Sequence, residues 1–377
     1  MITLIAIIFI LLLGHYVYFL LKILSGLEKL TIPDGEGKSE DFISVIIPFR
    51  NEAENILKSI ESIENLDYPE DKFEVIYVDD NSTDNSYDLA EQNRKKSNIK
   101  LIRLPDEIPS KGNKKRAIEY GIQKSRGDII VTTDADCIHQ KSWLRRLEAC
   151  FDSDTGFVSA PVEMKSSPGI FAGIQQTEFK GLILAGAGLI GSGNPVICNG
   201  ANIAYKKSAF QKAGGYGDNL NLSSGDDEFL MRKISDLPEY KIKFCNSRDA
   251  AVFTEPEKGI TGFFNQRKRW AGKITHYENR SLILALFFIF LFYLSLIIQA
   301  VLAVLGYSFF LLLFLFSVLI KFTLEFMIIK KGDVLFTSRN SNLLFLITEI
   351  IHIPYIIITA VAAAFGRFTW KDRKIKF

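Results

Sequence analysis

Apolar and polar positions divide this chain into blocks of two kinds. Met1 to Leu21 is apolar apart from Thr3, His15 and a few tyrosines, and it carries no charge before Lys22. About 20 such residues cross the hydrocarbon core of a bilayer. The run lacks a basic start and a small-x-small cleavage site, so it predicts a retained anchor over 1–21 rather than a signal peptide. Another long apolar stretch opens at Leu282 and continues to Ile320, enough for two spans with a turn between Ala300 and Tyr307. A further candidate span covers Leu343 to Phe365. These segments predict a membrane region over 281–366.

Residues 41–280 follow a different rhythm and predict one soluble domain. "FISVIIPF" (42–49) is a short β-branched run, and a stretch with Ile56, Ile60 and Ile63 at helical spacing follows it. "FEVIYVDD" (73–80) predicts a second strand, and "NSTDNSYDLAEQNRKK" a second helix with capping residues at its start. "IKLIRL", "KGNKKRAIEYGIQKS" and "GDIIVTTDADC" predict strand, helix, strand. The alternation with short links predicts an α/β domain with a doubly wound, mostly parallel sheet. Ligands of such sheets bind beyond the carboxyl ends of the strands. The segment 166–195 is apolar but too interrupted by glycine to span a membrane easily. It reads equally as an interfacial helix over an acceptor path or as a buried domain helix.

Charge adds an orientation and a conflict. Lys22, Lys29 and Lys38 follow the first apolar run and put that side in the cytoplasm, as for a protein of a bacterial inner membrane. Three crossings after a cytoplasmic domain would leave the basic tail, 367–377, on the far side, against the same rule. Either the rule fails, or one C-terminal segment is re-entrant or interfacial. Glu349, His352 and Pro354 single out the last. The tail, with Trp370, reads by default as a membrane-surface anchor and otherwise as a gate.

Composition narrows the chemistry. The 377 residues favour two units, and 48% of them are hydrophobic. The net charge of +2 supplies no field for nucleic acid. Cys137, Cys150, Cys198 and Cys245 have no metal-finger spacing and read as buried, reduced thiols. The four histidines are scattered. No G-x-G-x-x-G or Walker loop marks a dinucleotide or P-loop site.

What remains is acidic. Asp134 and Asp136 in "TTDADC" lie two apart, so in a strand both carboxylates point to one side. Hard oxygen donors of this kind suit Mg²⁺ or Mn²⁺ on a phosphate. The rival reading is a solvated strand end. Asp79 and Asp80 follow the second strand, where they can accept hydrogen bonds from a ribose or a base, or close an Asx turn. Lys111 opens the third predicted helix and is placed either for a phosphate or on a solvated basic face. In "LSSGDDEF", Asp226 and Asp227 offer a general base for an acceptor hydroxyl, or a helix N-cap.

The ordered set "VIIPFRNE" (45–52), "YVDDNSTD" (77–84), "SKGNKKRAI" (110–118), "TTDADC" (132–137), "NGANIAYKKSAFQKAGGY" (199–216), "GDDEF" (225–229) and "QRKRW" (266–270) resembles the family 2 glycosyltransferases of the GT-A fold. The membrane layout is similar to their subgroup with cellulose and hyaluronan synthases and ceramide glucosyltransferases. The resemblance implies that Glu52, Asp79 and Asp80 hold the nucleotide's base and ribose. It also implies that Lys111 approaches the pyrophosphate and that Asp134 and Asp136 place a divalent metal. Asp227 or Asp226 would be the base of an inverting transfer. The family's usual form is E-D rather than D-D, so which aspartate serves stays open.

Gln266, Arg269 and Trp270 match the subgroup's Q-x-x-R-W. Arg269 suits a departing diphosphate, and Trp270 suits an acceptor sugar or a lipid entrance. Arg267, Lys268 and Lys273 read as a basic collar at the membrane. The expected partners are a nucleotide-sugar donor, by resemblance a UDP-sugar, membrane lipids, and a lipid, lipid-linked or glycan acceptor. Glycolipid formation is favoured over a polysaccharide synthase, because three C-terminal segments are few for a polymer channel. A non-catalytic membrane scaffold is the reading from another class. A transporter fits least, since most of the chain reads as soluble.

Overall fold

The computed structural model describes residues 2–33, 41–105, 114–217, 220, 225, 227–272, 277, 279–338, 341–365, 368–370 and 373–375. The first helix is α1 (Ile2–Lys29). The middle region continues with β1 (Ile43–Phe49), α2 (Ile56–Glu64), β2 (Phe73–Asp79), α3 (Ser86–Asn93), β3 (Ile99–Arg103), α4 (Lys114–Lys124) and β4 (Ile129–Thr132). Next come β5 (Ile138–His139), α5 (Trp143–Glu148), β6 (Thr155–Ser159), β7 (Val162–Met164), α6 (Ile170–Gly191), β8 (Ile203–Lys206) and α7 (Lys207–Lys212). The region ends with α8 (Glu228–Ser235), β9 (Lys241–Phe244), β10 (Val252–Thr254) and α9 (Ile260–Ala271).

The main sheet has the order β3-β2-β1-β4-β8-β6-β9. Strands β3, β2, β1 and β4 pair in parallel, and β6 pairs in parallel with β9. Only β8 is reversed, antiparallel to both β4 and β6. β1 and β2 are buried at every position, as β-branched runs are when helices cover both faces. Ile56, Ile60 and Ile63 of α2 are buried, matching their spacing. Helix α4 lies close on the sheet at Gly121, where a Cβ would stand 2.6 Å from Ile46 Cγ2. A second sheet, β5-β10-β7, stands beside the first. The carboxyl ends of β1, β2 and β4 open on one edge.

Three further helices follow: α10 (Arg280–Val304), α11 (Ser308–Lys331) and α12 (Asn342–Phe365). With α1 they are long and apolar enough to cross a membrane. Residues 305–307 separate α10 from α11, where the sequence placed a turn. Helix α1 runs past the predicted end of the anchor at residue 21, because its last turns dock on α6. At that contact a Cβ on Gly26 would lie 1.7 Å from Gly188 O, and one on Gly188 would lie 2.5 Å from Ile23 O. The backbones touch directly, and only glycine permits it.

Helix α6, the interrupted segment, is largely buried. It forms the floor on which other helix ends meet. Lys180 pairs with Asp333 just after α11 at 2.7 Å, and Leu344 at the start of α12 packs on Gly173. Helix α12 continues along the α/β domain. The Tyr355 hydroxyl donates to Glu178 of α6 at 3.2 Å, and its ring packs 5.5 Å from Phe263 of α9. The closing strands β11 (Phe368–Trp370) and β12 (Arg373–Ile375) pair antiparallel, and β11 lies against α9. The start of α12 thus packs on α6, and the strand pair after it lies against α9.

Polar groups stitch the bundle together. Lys321 of α11 is fully buried and bonds Glu325 at 3.0 Å and also Glu349 of α12. The Tyr16 hydroxyl of α1 donates to Glu325 at 2.5 Å and stands 3.0 Å from the Tyr293 hydroxyl of α10. Tyr293 in turn stands 3.4 Å from His352 Nδ1. Ionisable groups in a bundle are stable only when paired this way. Glu325, Glu349 and His352 lie near enough to share an ion, and the Lys321 ammonium bonds both carboxylates.

Candidate active site

Two loops at the ends of β1 and β2 brace each other. Arg50 Nη1 donates to Asp80 O at 2.6 Å and to Asn81 O. Asn51 Oδ1 accepts from Thr83 N at 2.8 Å. Asn51 and Asn81 both hold left-handed backbone, with φ of 51° and 55°, a conformation asparagine tolerates better than most residues. Glu52 N donates to Ser86 Oγ at 2.7 Å, and Glu52 Oε2 accepts from Asn55 at 2.8 Å. The result is a fixed rim on which Glu52 and Asp80 face a cavity of about 790 Å³.

Asp79 does not face it. Its side chain is fully buried, Oδ1 accepts from Ser82 N at 2.9 Å, and Oδ2 accepts from Arg103 Nε at 3.2 Å. Asp79 closes the turn, and Asp80 is the member of the pair that lines the cavity.

Asp134 and Asp136 line the same cavity from the loop after β4, with Ala135 between them buried. Lys114 Nζ, from the first residue of α4, stands 2.6 Å from Asp134 Oδ1 and also lines the cavity. A cation beside two hard carboxylates is the charge balance that a divalent metal supplies, so the donor set fits Mg²⁺ or Mn²⁺. The sequence offered Lys111 equally as a phosphate cation or as part of a solvated basic face. Lys111 and Asp226 lie outside the described residues, whereas Lys114 lies in the cavity wall.

Under this loop sits His139, which is buried. Its ring nitrogens stand 2.9 Å from Ser62 Oγ and 3.0 Å from Thr133 Oγ1, and the ring packs on Trp143. Thr133 precedes Asp134, so the imidazole fixes the base of the acidic loop. Burial pulls the His139 pKa down to about 3 from 6.5. Its contribution to stability is complete above pH 6.5 and is lost as pH falls towards 3, because the unfolded chain then binds a proton the folded one refuses. The slope is about 1.4 kcal/mol per pH unit across that window. The thermal midpoint of the solubilised protein should therefore fall from pH 7 to pH 5, and fall less in His139→Gln. Equal falls in both proteins would refute this assignment.

Asp227 is both cap and cavity residue. It is the N-cap of α8, with Oδ1 accepting from Glu228 N at 2.8 Å and Oδ2 accepting from Gly200 N at 2.8 Å. It nonetheless lines the cavity. Carboxylate oxygens carry two lone pairs each, so both bonds leave acceptor capacity.

Helix α9 brings Gln266, Arg269 and Trp270 to the wall opposite the strand ends. Their spacing of three and four residues puts them on one helical face. Arg267 is not part of a collar. It is buried, ion-paired with Glu178, and its guanidinium lies 4.2 Å from the Trp270 ring. Beyond Trp270 the cavity turns apolar, walled by Leu182 and Ile183 of α6, Leu286 and Phe290 of α10, and Ile356 of α12. The carboxylate-rich mouth and the membrane-helix walls thus belong to one space. No periodicity could reveal this, because α6 and α12 come from distant parts of the chain.

Comparisons with known proteins agree with this geometry. Residues 44–214 match the model of glycosyl transferase family 2. Glycosyltransferase AglE of Haloferax volcanii is 37% identical over 106 residues, 28% of this chain and 34% of that protein. Poly-beta-1,6-N-acetyl-D-glucosamine synthase of Staphylococcus epidermidis is 26% identical over 263 residues, 68% of this chain and 60% of that one. The chain thus spans between about a third and three-fifths of the length of these relatives. Among solved structures, the mannosyltransferase PcManGT of Pyrobaculum calidifontis, in complex with GDP-Man and Mn²⁺, superposes with a TM-score of 0.63 at 18% identity. The match covers 96% of this chain and 99% of that one. It shows a shared GT-A fold.

Proposed function

Residues 44–214 form a glycosyl transferase family 2 domain, and from that premise we propose that the protein is a membrane-bound inverting glycosyltransferase with a lipid or lipid-linked acceptor. The observation that carries this reading is the single cavity that runs from Asp134 and Asp136 to the apolar walls of α6, α10 and α12. A polar donor fits its mouth and an apolar chain fits its far end.

Each residue then has a task. Glu52 and Asp80 accept hydrogen bonds from the donor's base and ribose. Asp134 and Asp136 would hold a divalent cation, Mg²⁺ or Mn²⁺, whose charge would offset that of the donor's diphosphate. Lys114 shifts from Asp134 to a phosphate oxygen as the donor enters. The acceptor hydroxyl gives its proton to Asp227 as its oxygen bonds to the anomeric carbon. The carbon–oxygen bond to phosphate breaks, and the electron pair leaves with the nucleoside diphosphate. Arg269 meets the charge that grows on that leaving group. Attack opposite the leaving group inverts the anomeric centre. The apolar helices are read as spans of α1, α10 and α11, with α12 lying along the membrane face and the tail on the catalytic, cytoplasmic side.

The match to a polysaccharide synthase favours a second reading, elongation of a glycan. One experiment separates the two. Membranes containing the protein are given labelled nucleotide sugars with Mn²⁺ or Mg²⁺, and the products are partitioned between organic solvent and water, with Asp136→Ala as control. The expected result is organic-phase label that is absent in the control. Label only in large water-soluble material would establish the polymer reading. Transfer that persists undiminished in Asp136→Ala would overturn the metal site.

A further inference from the structure

Helix α9 presents two faces with different chemistry. One carries Gln266, Arg269 and Trp270 to the cavity. The adjoining row carries Phe263, Arg267 and Trp270, spaced four and three residues apart, so that the three side chains stack. The Arg267 guanidinium lies 4.6 Å from the Phe263 ring centre and 4.2 Å from that of Trp270.

The arginine is anchored from outside its helix. Nε donates to Glu178 Oε1 at 3.0 Å and Nη2 donates to Glu178 Oε2, a two-point clamp from α6. Both side chains are almost wholly buried, at 3% and 7% exposure. Tyr355 of α12 donates a third bond to the same carboxylate at 3.2 Å. Arg267 Nη1 also donates to Gln266 Oε1, which turns that amide's NH₂ towards Glu257 Oε1 at 3.3 Å. Phe179, the residue after Glu178, packs 6.0 Å from Trp270.

A buried ion pair adds little net stability, but losing one partner strands the other in a dry place. A planar fork bound at both nitrogens also fixes a plane, which a lysine cannot do. We propose that Arg267 and Glu178 are positioning residues, whose clamp sets the plane of the Trp270 indole and the orientation of the Gln266 amide at the acceptor end of the cavity. The proposal rests on the reading of that cavity as the site of transfer. It also makes α12, through Tyr355, a brace for the site.

The test uses the full-length protein in detergent or nanodiscs, carrying Arg267→Lys, Glu178→Gln, or the exchange Arg267→Glu with Glu178→Arg. Each is compared with a counterpart that also carries Trp270→Phe, so that the difference in emission isolates Trp270. Acrylamide quenching of that difference should rise about twofold in the single variants, as the indole loses the guanidinium covering one face. It should return towards the native value in the exchange. Turnover should fall roughly tenfold or more through misplacement, while UDP or GDP titrated with Mn²⁺ binds as before.

Unchanged quenching in Arg267→Lys would overturn the proposal, including when turnover is lost, because the arginine would then act on substrate directly. Should the native protein transfer no sugar, the functional reading fails and the quenching arm alone decides this one. Should Arg267→Lys not fold, Tyr355→Phe removes a single hydroxyl from Glu178. A smaller rise in quenching there supports the clamp, and no rise sinks it.

Discussion

Asp227→Asn is expected to lower turnover by roughly 10²- to 10⁴-fold, the range of a positioned general base, while donor binding persists. The substitution is demanding because Asp227 has two tasks. Asparagine is as good an N-cap as aspartate, so the bond from Glu228 N to Oδ1 survives. The second oxygen, which accepts from Gly200 N at 2.8 Å, becomes an NH₂ that faces another donor. That mismatch costs about 1–3 kcal/mol and should appear as a modest drop in thermal midpoint. The proton acceptor disappears altogether. Turnover, midpoint and nucleotide titration measured on one preparation separate the effects. Full turnover in a folded variant would remove Asp227 from the chemistry and leave it a cap.

Arg269→Ala should reduce turnover by roughly 10²- to 10³-fold, the scale for removing one preorganised donor from a developing anion. The loss belongs mainly in kcat, since charge on the diphosphate grows as the bond breaks. Arg269→Lys should recover part of it, because an ammonium keeps the charge without the fork. Neighbouring Arg267 gives the contrast: its replacement acts through the Trp270 ring and leaves the diphosphate's partner in place. A rise in KM for the donor with kcat unchanged in Arg269→Ala would place the arginine on the bound ground state instead.

Much of this site was legible because strand and helix periods are local. The ends of β1, β2 and β4 could be found from their β-branched runs, but Asp134 and Asp136 stand in the turn after β4 rather than in the strand whose alternation was used to pair them. Local spacing also contained a signal that went unused. Arg267 lies four residues after Phe263 and three before Trp270, on an aromatic row of the helix rather than a charged one. Other features depend on partners far along the chain. Asp79 is withdrawn from the cavity by Arg103, Arg267 is claimed by Glu178, and Lys321 is matched by Glu349. A pairing between distant residues leaves no periodic trace. The same holds for α12, whose composition suits a span and which packs on α6 and α9 as well as on α10.

The glycine contact between α1 and α6 sets an order of assembly. Gly26 leaves the ribosome long before Gly188, its partner at backbone distance. At roughly 5–20 residues per second, the first helix waits some seconds for its mate. During that interval α1 is a lone hydrophobic rod, and Tyr16, which later bonds Glu325, has nothing to bond. The α/β domain cannot settle against α1 until α6 has formed. A side chain at Gly26 would therefore act as a defect of timing as well as of fit: nascent chains would linger with α6 undocked, exposed to the quality-control proteases of the membrane.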